Sequence, residues 1–369
     1  MKFAEFIRLQ LIASLALILT STAFAQTTAP TPPISEETQV LKVDSRLVVV
    51  PVSVLDAAGE PVLGLKAPDF RISEENRRQT IDSVGNAENV PLEIVLLFDV
   101  SASSEAMFNF QRETASQFLR DVLRGEDRAA IFTIGQRPVL IQARDTADKS
   151  ILGLRSISPS KEQTAFYDSV TTAANYLRRN APDGRRKVIV VISDGEDTNS
   201  EGVVRAIWNA ERKIADNTSN EKLRELRVKA RDTAKVMEQV KVLKALQDSD
   251  SVLYAINPGG SSYQLNKMAV FGQENMQKFA DETGGTAFLP KFQPIDTKDS
   301  LQNSTNIRKN TETLGHIFRQ LANELRAQYL VQYYSEAEFP LNKYVKLDVG
   351  LQNPGNLRIR ARQGYYVKN

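Results

Sequence analysis

Three short runs of the chain are apolar almost without interruption: Ile94-Val95-Leu96-Leu97-Phe98, Val188-Ile189-Val190-Val191-Ile192 and Val252-Leu253-Tyr254-Ala255-Ile256. A strand with one solvated face alternates apolar and polar residues, so unbroken runs of this length mark strands buried on both faces. Helical patterns separate them. Residues 104–123 place Phe110, Ala115, Phe118, Leu119 and Val122 near helical spacing, and further helices are expected at about 148–154, 165–179 and 274–283. Two more strands are expected at Ala129–Ile134 and Val139–Ile141. This alternation, over residues 91–293, predicts an α/β domain: a doubly wound, mostly parallel sheet with helices on both faces.

The flanks have a different period. Arg46 to Val54, Phe70 to Glu75 and Gln79 to Val84 are strand-like with period two, and Asp56-Ala57-Ala58-Gly59-Glu60-Pro61-Val62 is a turn expected to lead into a further strand. Residues 329–334, 344–349 and 357–362 repeat the pattern at the other end, with Asn353-Pro354-Gly355-Asn356 as a turn. Neither flank has enough strands for a closed sandwich. The expectation is one small β-sandwich built from both terminal segments, residues 38–90 and 328–369, with the α/β domain inserted between them and a linker with a helix at 294–327.

About 57 residues separate Asp194 from Asp250, more than one crossover helix needs. Residues 203–248 are therefore expected to form a helical insertion laid on its own domain. Leu223, Leu226, Ala230, Ala234, Met237, Val240 and Leu243 make its apolar stripe, with Trp208 helping to dock it.

At the N-terminus, Lys2 and Arg8 precede a short apolar stretch that ends at Ala23-Phe24-Ala25, the pattern of a signal peptide over residues 1–25. Residues 26–37 are Thr/Pro-rich and read as a tether. No later stretch is a transmembrane candidate, so export to the periplasm or cell exterior is expected.

Composition then narrows the chemistry. With no Cys and a single His there is no disulfide, no thiolate nucleophile and no multi-histidine zinc site, so any metal must be held mainly by oxygen, which suits Mg²⁺, Mn²⁺ or Ca²⁺. A formal charge of +2 offers no field for nucleic acid. The oxygen donors stand where the buried strands end, the usual ligand position in a doubly wound sheet. Asp99-Val100-Ser101-Ala102-Ser103 follows the first run, Thr164 opens a helix in Gln163-Thr164-Ala165-Phe166-Tyr167-Asp168, and Asp194-Gly195-Glu196-Asp197 follows the second run. Two carboxylates and three hydroxyls on three loops could hold one divalent cation and leave a coordination place open. Glu196 and Asp197 are expected in a solvated loop, and His316 in an ordinary helix-surface or packing role.

Asp99-x-Ser101-x-Ser103, Thr164 and Asp194-Gly195, in that order and on those elements, resemble the metal-ion-dependent adhesion site (MIDAS) of von Willebrand factor type A (VWA) domains. The resemblance spans about 200 residues. It implies that Ser101, Ser103 and Thr164 contact the metal, with Asp99 and Asp194 acting directly or through water. Glu162-Gln163 depart from the Gly found before the Thr in many relatives. The layout, with Leu65-Lys66-Ala67-Pro68-Asp69-Phe70 and Arg360-Ala361-Arg362-Gln363-Gly364-Tyr365-Tyr366, resembles exported VWA-related proteins of acidobacterial type.

The resulting expectation is a non-enzymatic, exported binding module that captures an Asp or Glu carboxylate of a partner protein through Mg²⁺, Mn²⁺ or Ca²⁺. The alternatives are a structural envelope protein whose site only stabilises the fold, and a metal-dependent phosphohydrolase. The last is disfavoured because Ser101 stands where an aspartyl phosphohydrolase places its second acid.

Overall fold

The computed structural model describes residues 46–101, 105–160, 162–212, 219–258, 267–295 and 297–368. The expected signal peptide and tether, Ser103, and the Gly-rich stretch after Pro258 lie outside them.

In chain order the elements begin with β1 (Arg46–Leu55), β2 (Phe70–Glu74), β3 (Arg77–Arg78) and β4 (Ile81–Asn86). The α/β part follows with β5 (Leu92–Asp99), α1 (Glu105–Val122), β6 (Arg128–Ile134), β7 (Val139–Asp145), α2 (Ala147–Arg155), α3 (Phe166–Asn180) and β8 (Arg186–Ile192). It continues through α4 (Glu201–Glu211), α5 (Asn220–Asp248), β9 (Ser251–Ile256), α6 (Lys267–Thr283) and β10 (Ala287–Phe288). The chain closes with α7 (Ser300–Ala327), β11 (Tyr329–Ser335), β12 (Tyr344–Leu351), β13 (Arg358–Ala361) and β14 (Gly364–Tyr366).

The three apolar runs are β5, β8 and β9, neighbours in a six-stranded sheet of order β10-β9-β8-β5-β6-β7. All pairs are parallel except β6–β7, where β7 closes the edge antiparallel. Successive β5 residues serve opposite cores, which is why the strand cannot alternate. Ile94, Leu96 and Phe98 pack against Phe108, Phe118 and Leu119 of α1 and Phe318 and Leu321 of α7. Val95 and Leu97 pack with Phe166 and Val170 of α3 and Phe279 of α6. The mostly parallel α/β sheet and its flanking sandwich are therefore as the sequence predicts.

Both sandwich sheets mix the two ends of the chain. One has the order β13-β1-β11-β4 and the other β14-β12-β2-β3. β1 runs antiparallel to β11 from Arg46–Ser335 to Val52–Tyr329, and β2 pairs with β12. Between the sheets lie Val50, Val52, Phe70, Ile72, Val331, Tyr333, Val345 and Leu347. One charged group sits among them. Glu74, 1% exposed, accepts from Tyr333 Oη (3.0 Å), Ser335 Oγ (2.7 Å) and Tyr365 Oη, so three C-terminal hydroxyls close on one N-terminal carboxylate. Burial and the hydrogen bond to Glu74 push the Tyr365 phenol up to about 12.

Four details differ from the sequence reading. No strand follows the Asp56 turn. The Asp56 carboxylate folds the turn on itself by accepting from Ala58 N (2.8 Å) and Glu60 N (2.9 Å), and one isolated bridge, Leu55 to Pro61, is all the pairing that follows. α6 begins at Lys267, seven residues before the expected start. α5 buries Ala234, Lys235, Glu238, Val242, Leu246 and Gln247, while Met237 and Val240 are exposed. Glu238 lies against Gly202 of α4, so there the two helices pack through a glycine and the stem of a long polar side chain. Trp208 is 65% exposed and does not dock the insertion.

Glu74→Ala leaves three buried hydroxyls without their acceptor and is expected to cost about 3 kcal/mol in chemical denaturation. Tyr365→Phe, which removes one donor, should cost about 1 kcal/mol. Equal stability of Glu74→Ala and wild type would show that this carboxylate does not join the two ends.

Candidate metal centre

β5 and β8 are parallel and in register from Leu92–Arg186 to Phe98–Ile192, so their carboxyl ends reach the same edge of the sheet together. Asp99 is the last residue of β5, and Ser193-Asp194 follows β8 directly. The two ends are joined by hydrogen bonds. Asp99 Oδ1 accepts from Ser101 N (2.9 Å) and Ser101 Oγ (2.6 Å), and Oδ2 accepts from Ser193 Oγ (2.6 Å). Ser193 Oγ in turn accepts from Gly195 N (3.0 Å), and Asp194 Oδ1 accepts from Glu196 N (2.9 Å).

Thr164 is brought to the same end by a second set of bonds. The α2–α3 loop meets the β5–α1 loop through Ser160 N to Val100 O (2.7 Å), and Ala165 N donates to Gly135 O (2.8 Å). Thr164 N donates to Thr198 Oγ1 (2.8 Å), and Thr164 O accepts from Thr198 N (2.9 Å) and Asn199 N (3.0 Å). Asp99, Ser101, Thr164 and Asp194 thus stand on three loops that are bonded to one another.

The sequence reading missed the supports. Ser193, fully buried, clamps the second oxygen of Asp99; the only sign was a hydroxyl ending an otherwise apolar strand. Asp197 is not in a solvated loop. It is 1% exposed and accepts from Tyr167 N (3.2 Å), Ser200 N (3.2 Å) and Ser200 Oγ, which fixes the loop that holds Thr164. Asp168 Oδ2 accepts from Glu201 N (2.8 Å) at the start of α4, near the positive end of that helix. Lys235 of the insertion supplies positive charge to Asp197 and Glu196.

Gly195 has φ +76°, a conformation that suits glycine. A Cβ there would lie 2.5 Å from Gly272 O, and one on Gly272 would lie 2.7 Å from Asp194 O. Gly272 stands inside α6, where glycine costs about 1 kcal/mol relative to alanine. The close backbone contact accounts for it: α6 forms the seat of the Asp194 loop.

The electrostatics favour a cation. Burial is the largest influence on Asp99 and, with the charge of Asp194, outweighs the hydrogen bonds from Ser101 and Ser193, so its pKa rises to about 6. Desolvation also raises Asp194, although that residue is itself exposed at the sheet edge. A positive ion beside the two carboxylates would oppose both effects. Among the described residues no three His, Asp or Glu side chains gather as a metal-binding group. The donor set at the strand ends is two carboxylates with hydroxyls, which is chemically suited to a hard divalent cation.

Residues 94–196 match the family model for the von Willebrand factor type A domain, a span that runs from within β5 to just past β8 and includes Asp99, Ser101, Ser103, Thr164 and Asp194. Among solved structures, the chain is similar to the conserved hypothetical protein BatB from Bacteroides thetaiotaomicron, at 15% identity and TM-score 0.34, covering 61% of this chain and 99% of that one. It is also similar to the PilB minor pilin from Streptococcus sanguinis, at 12% identity and TM-score 0.41, covering 65% of this chain and 63% of that one. A third is proximal thread matrix protein 1 from the mussel byssus with a zinc-occupied MIDAS motif, at 12% identity and TM-score 0.41, covering 68% of this chain and 50% of that one. No curated protein matches the chain.

Gly272→Ala is expected to push the Asp194 loop off its seat. Urea denaturation should show a loss of about 1–3 kcal/mol, even though the helix itself gains from alanine. A variant more stable than wild type would mean that the seat yields freely.

Proposed function

We propose that this chain is a metal-dependent protein-binding module, with Asp99, Ser101, Ser103, Thr164 and Asp194 holding one divalent cation, Mg²⁺ in the first instance and Mn²⁺ or Ca²⁺ as substitutes. The observation that carries the reading is the buried Asp99 carboxylate, clamped at a sheet edge by Ser101 and Ser193 with Asp194 beside it. The VWA match over the same residues supports it. Two carboxylates balance a divalent charge, while neutral hydroxyls leave the ion electrophilic toward an outside acid. The ligand of that open place would be an Asp or Glu side chain of a partner protein, and the module would carry out no catalytic chemistry.

Export belongs to the same proposal, resting on residues 1–25. Among the described residues, no helix is long and apolar enough to cross a membrane.

A pull-down from envelope extract tests the reading. A partner retained in Mg²⁺ should be lost in EDTA and lost with Asp99→Ala, while the circular dichroism of the variant stays native. Retention in EDTA and by Asp99→Ala would overturn the metal-bridged contact. A thermal shift separates this reading from a purely stabilising site. Mg²⁺ should raise the melting temperature of wild type but not of Asp99→Ala; a shift without any Mg²⁺-dependent partner would favour a structural envelope role.

A further inference from the structure

The helical insertion leaves a groove open to solvent. α4 and α5 run antiparallel, because Gly202 at the start of α4 lies against Glu238 late in α5, and Glu211 at the end of α4 pairs with Arg227 early in α5 (2.5 Å). Between them lies a groove of about 670 Å³. Its residues recur at helical spacing on both sides. Gly202, Ala206 and Ala210 come from α4, and Leu226, Ala230 and Met237 from α5, so each helix gives the groove one continuous face. Ala206, Ala210, Leu226 and Ala230 are half-buried and form its floor, while Met237 is 61% exposed. From Leu226 to Lys241 the groove runs roughly 22 Å, the length of about four helical turns.

The rim is cationic. Arg205, Lys229 and Lys241, all exposed, line the groove against one acid, Glu238, which is 7% exposed. The acids nearby are taken: Glu201 by Arg205 (2.5 Å), Asp232 by Arg231 (3.0 Å) and Glu238 by Lys241 (2.6 Å). Among the described residues, no carboxylate pairs with Lys229. An exposed pair such as Glu201–Arg205 contributes little, so Arg205 can turn to a better-placed acid. A second copy of the groove would bring the same three cations face to face, which disfavours a dimer through this surface. At its Gly202 end the groove approaches the metal edge, because Gly202 is three residues after Asn199, whose amide donates to Thr164 O (3.0 Å).

We propose that this groove docks an acidic amphipathic helix of a partner protein, its apolar stripe lying on Ala206, Ala210, Ala230 and Met237 and its carboxylates meeting Arg205, Lys229 and Lys241. A floor of small side chains lets the two-helix face take a third helix at ordinary packing distance, with Leu226 and Met237 as the bulkier contacts. Methionine suits such a surface, because its unbranched side chain adapts to what packs on it. The cationic rim selects the sign of the partner: it attracts carboxylates flanking the apolar stripe and repels a basic helix of the same shape. The surface is built from its own residues and needs no cation at the metal centre.

Fluorescence of Trp208, the only Trp of the chain and the neighbour of Asn209 on α4, reads occupancy of the groove. The full chain is titrated with synthetic peptides of about 16 residues, long enough to span the groove as a helix. One is an amphipathic helix of Leu and Glu, the second carries Lys in place of Glu, and the third shuffles the Leu/Glu sequence to break the helical spacing. The Leu/Glu helix should bind saturably, shift the Trp208 emission and bind about tenfold or more tightly than either control. Its affinity should fall as salt rises and stay the same in EDTA. Lys229→Glu and Met237→Glu replace exposed side chains and should leave the fold intact, and each should weaken the Leu/Glu peptide about tenfold. No binding of that peptide, equal binding of either control, loss of binding in EDTA, or unchanged affinity in both folded variants would each overturn the proposal. Sedimentation showing a dimer of the free chain that Met237→Glu dissociates would assign the groove to a second copy and overturn it as well.

Discussion

The parallel pairing of β5 with β8 determines most of what this chain can do. Seven residue pairs in register deliver Asp99 and Ser193-Asp194 to one edge of the sheet at the same height. Both strands are buried on both faces, so neither can slip by one residue without turning a set of apolar side chains toward the wrong core. A carboxylate at that edge is held by the same rigidity. Asp99 receives Ser101 on one oxygen and Ser193 on the other, and it stays buried because those hydroxyls repay part of its lost hydration.

The loops around this edge form an outer layer of support. Asp197 ties the start of α3 to the start of α4, Thr198 holds both the amide and the carbonyl of Thr164, and α6 lies under the Asp194 loop through a glycine-to-glycine contact. At the opposite end, the sandwich closes the first and last parts of the chain over one another. Glu74 gathers hydroxyls from β11 and β14, so the α/β domain leaves and re-enters a sandwich whose two contributions are hydrogen-bonded together.

Much of this was legible in the residues. Unbroken apolar runs have one common explanation, and so β5, β8 and β9 could be placed with their helices on either side. The acidic and hydroxyl residues that end β5 and β8 were legible for the same reason, since strand ends in such a sheet define the ligand edge. What was not legible depends on partners distant in sequence. Asp197 reads as a loop acid until its contacts with Tyr167 and Ser200 are seen. The buried stripe of α5 runs through Lys235, Glu238 and Gln247 as well as Val242 and Leu246. Periodicity counts apolar residues and therefore chose Met237 and Val240, which face outward.

The central claim is that the ends of β5 and β8 hold one divalent cation between them. Anomalous diffraction from crystals grown with Mn²⁺ measures this directly. The account predicts a single strong peak within coordination distance of Asp99, Ser101 or Asp194, absent from crystals of Asp99→Ala grown under the same conditions. Well-ordered wild-type loops with no peak at that edge, or a peak that persists in Asp99→Ala, would contradict it.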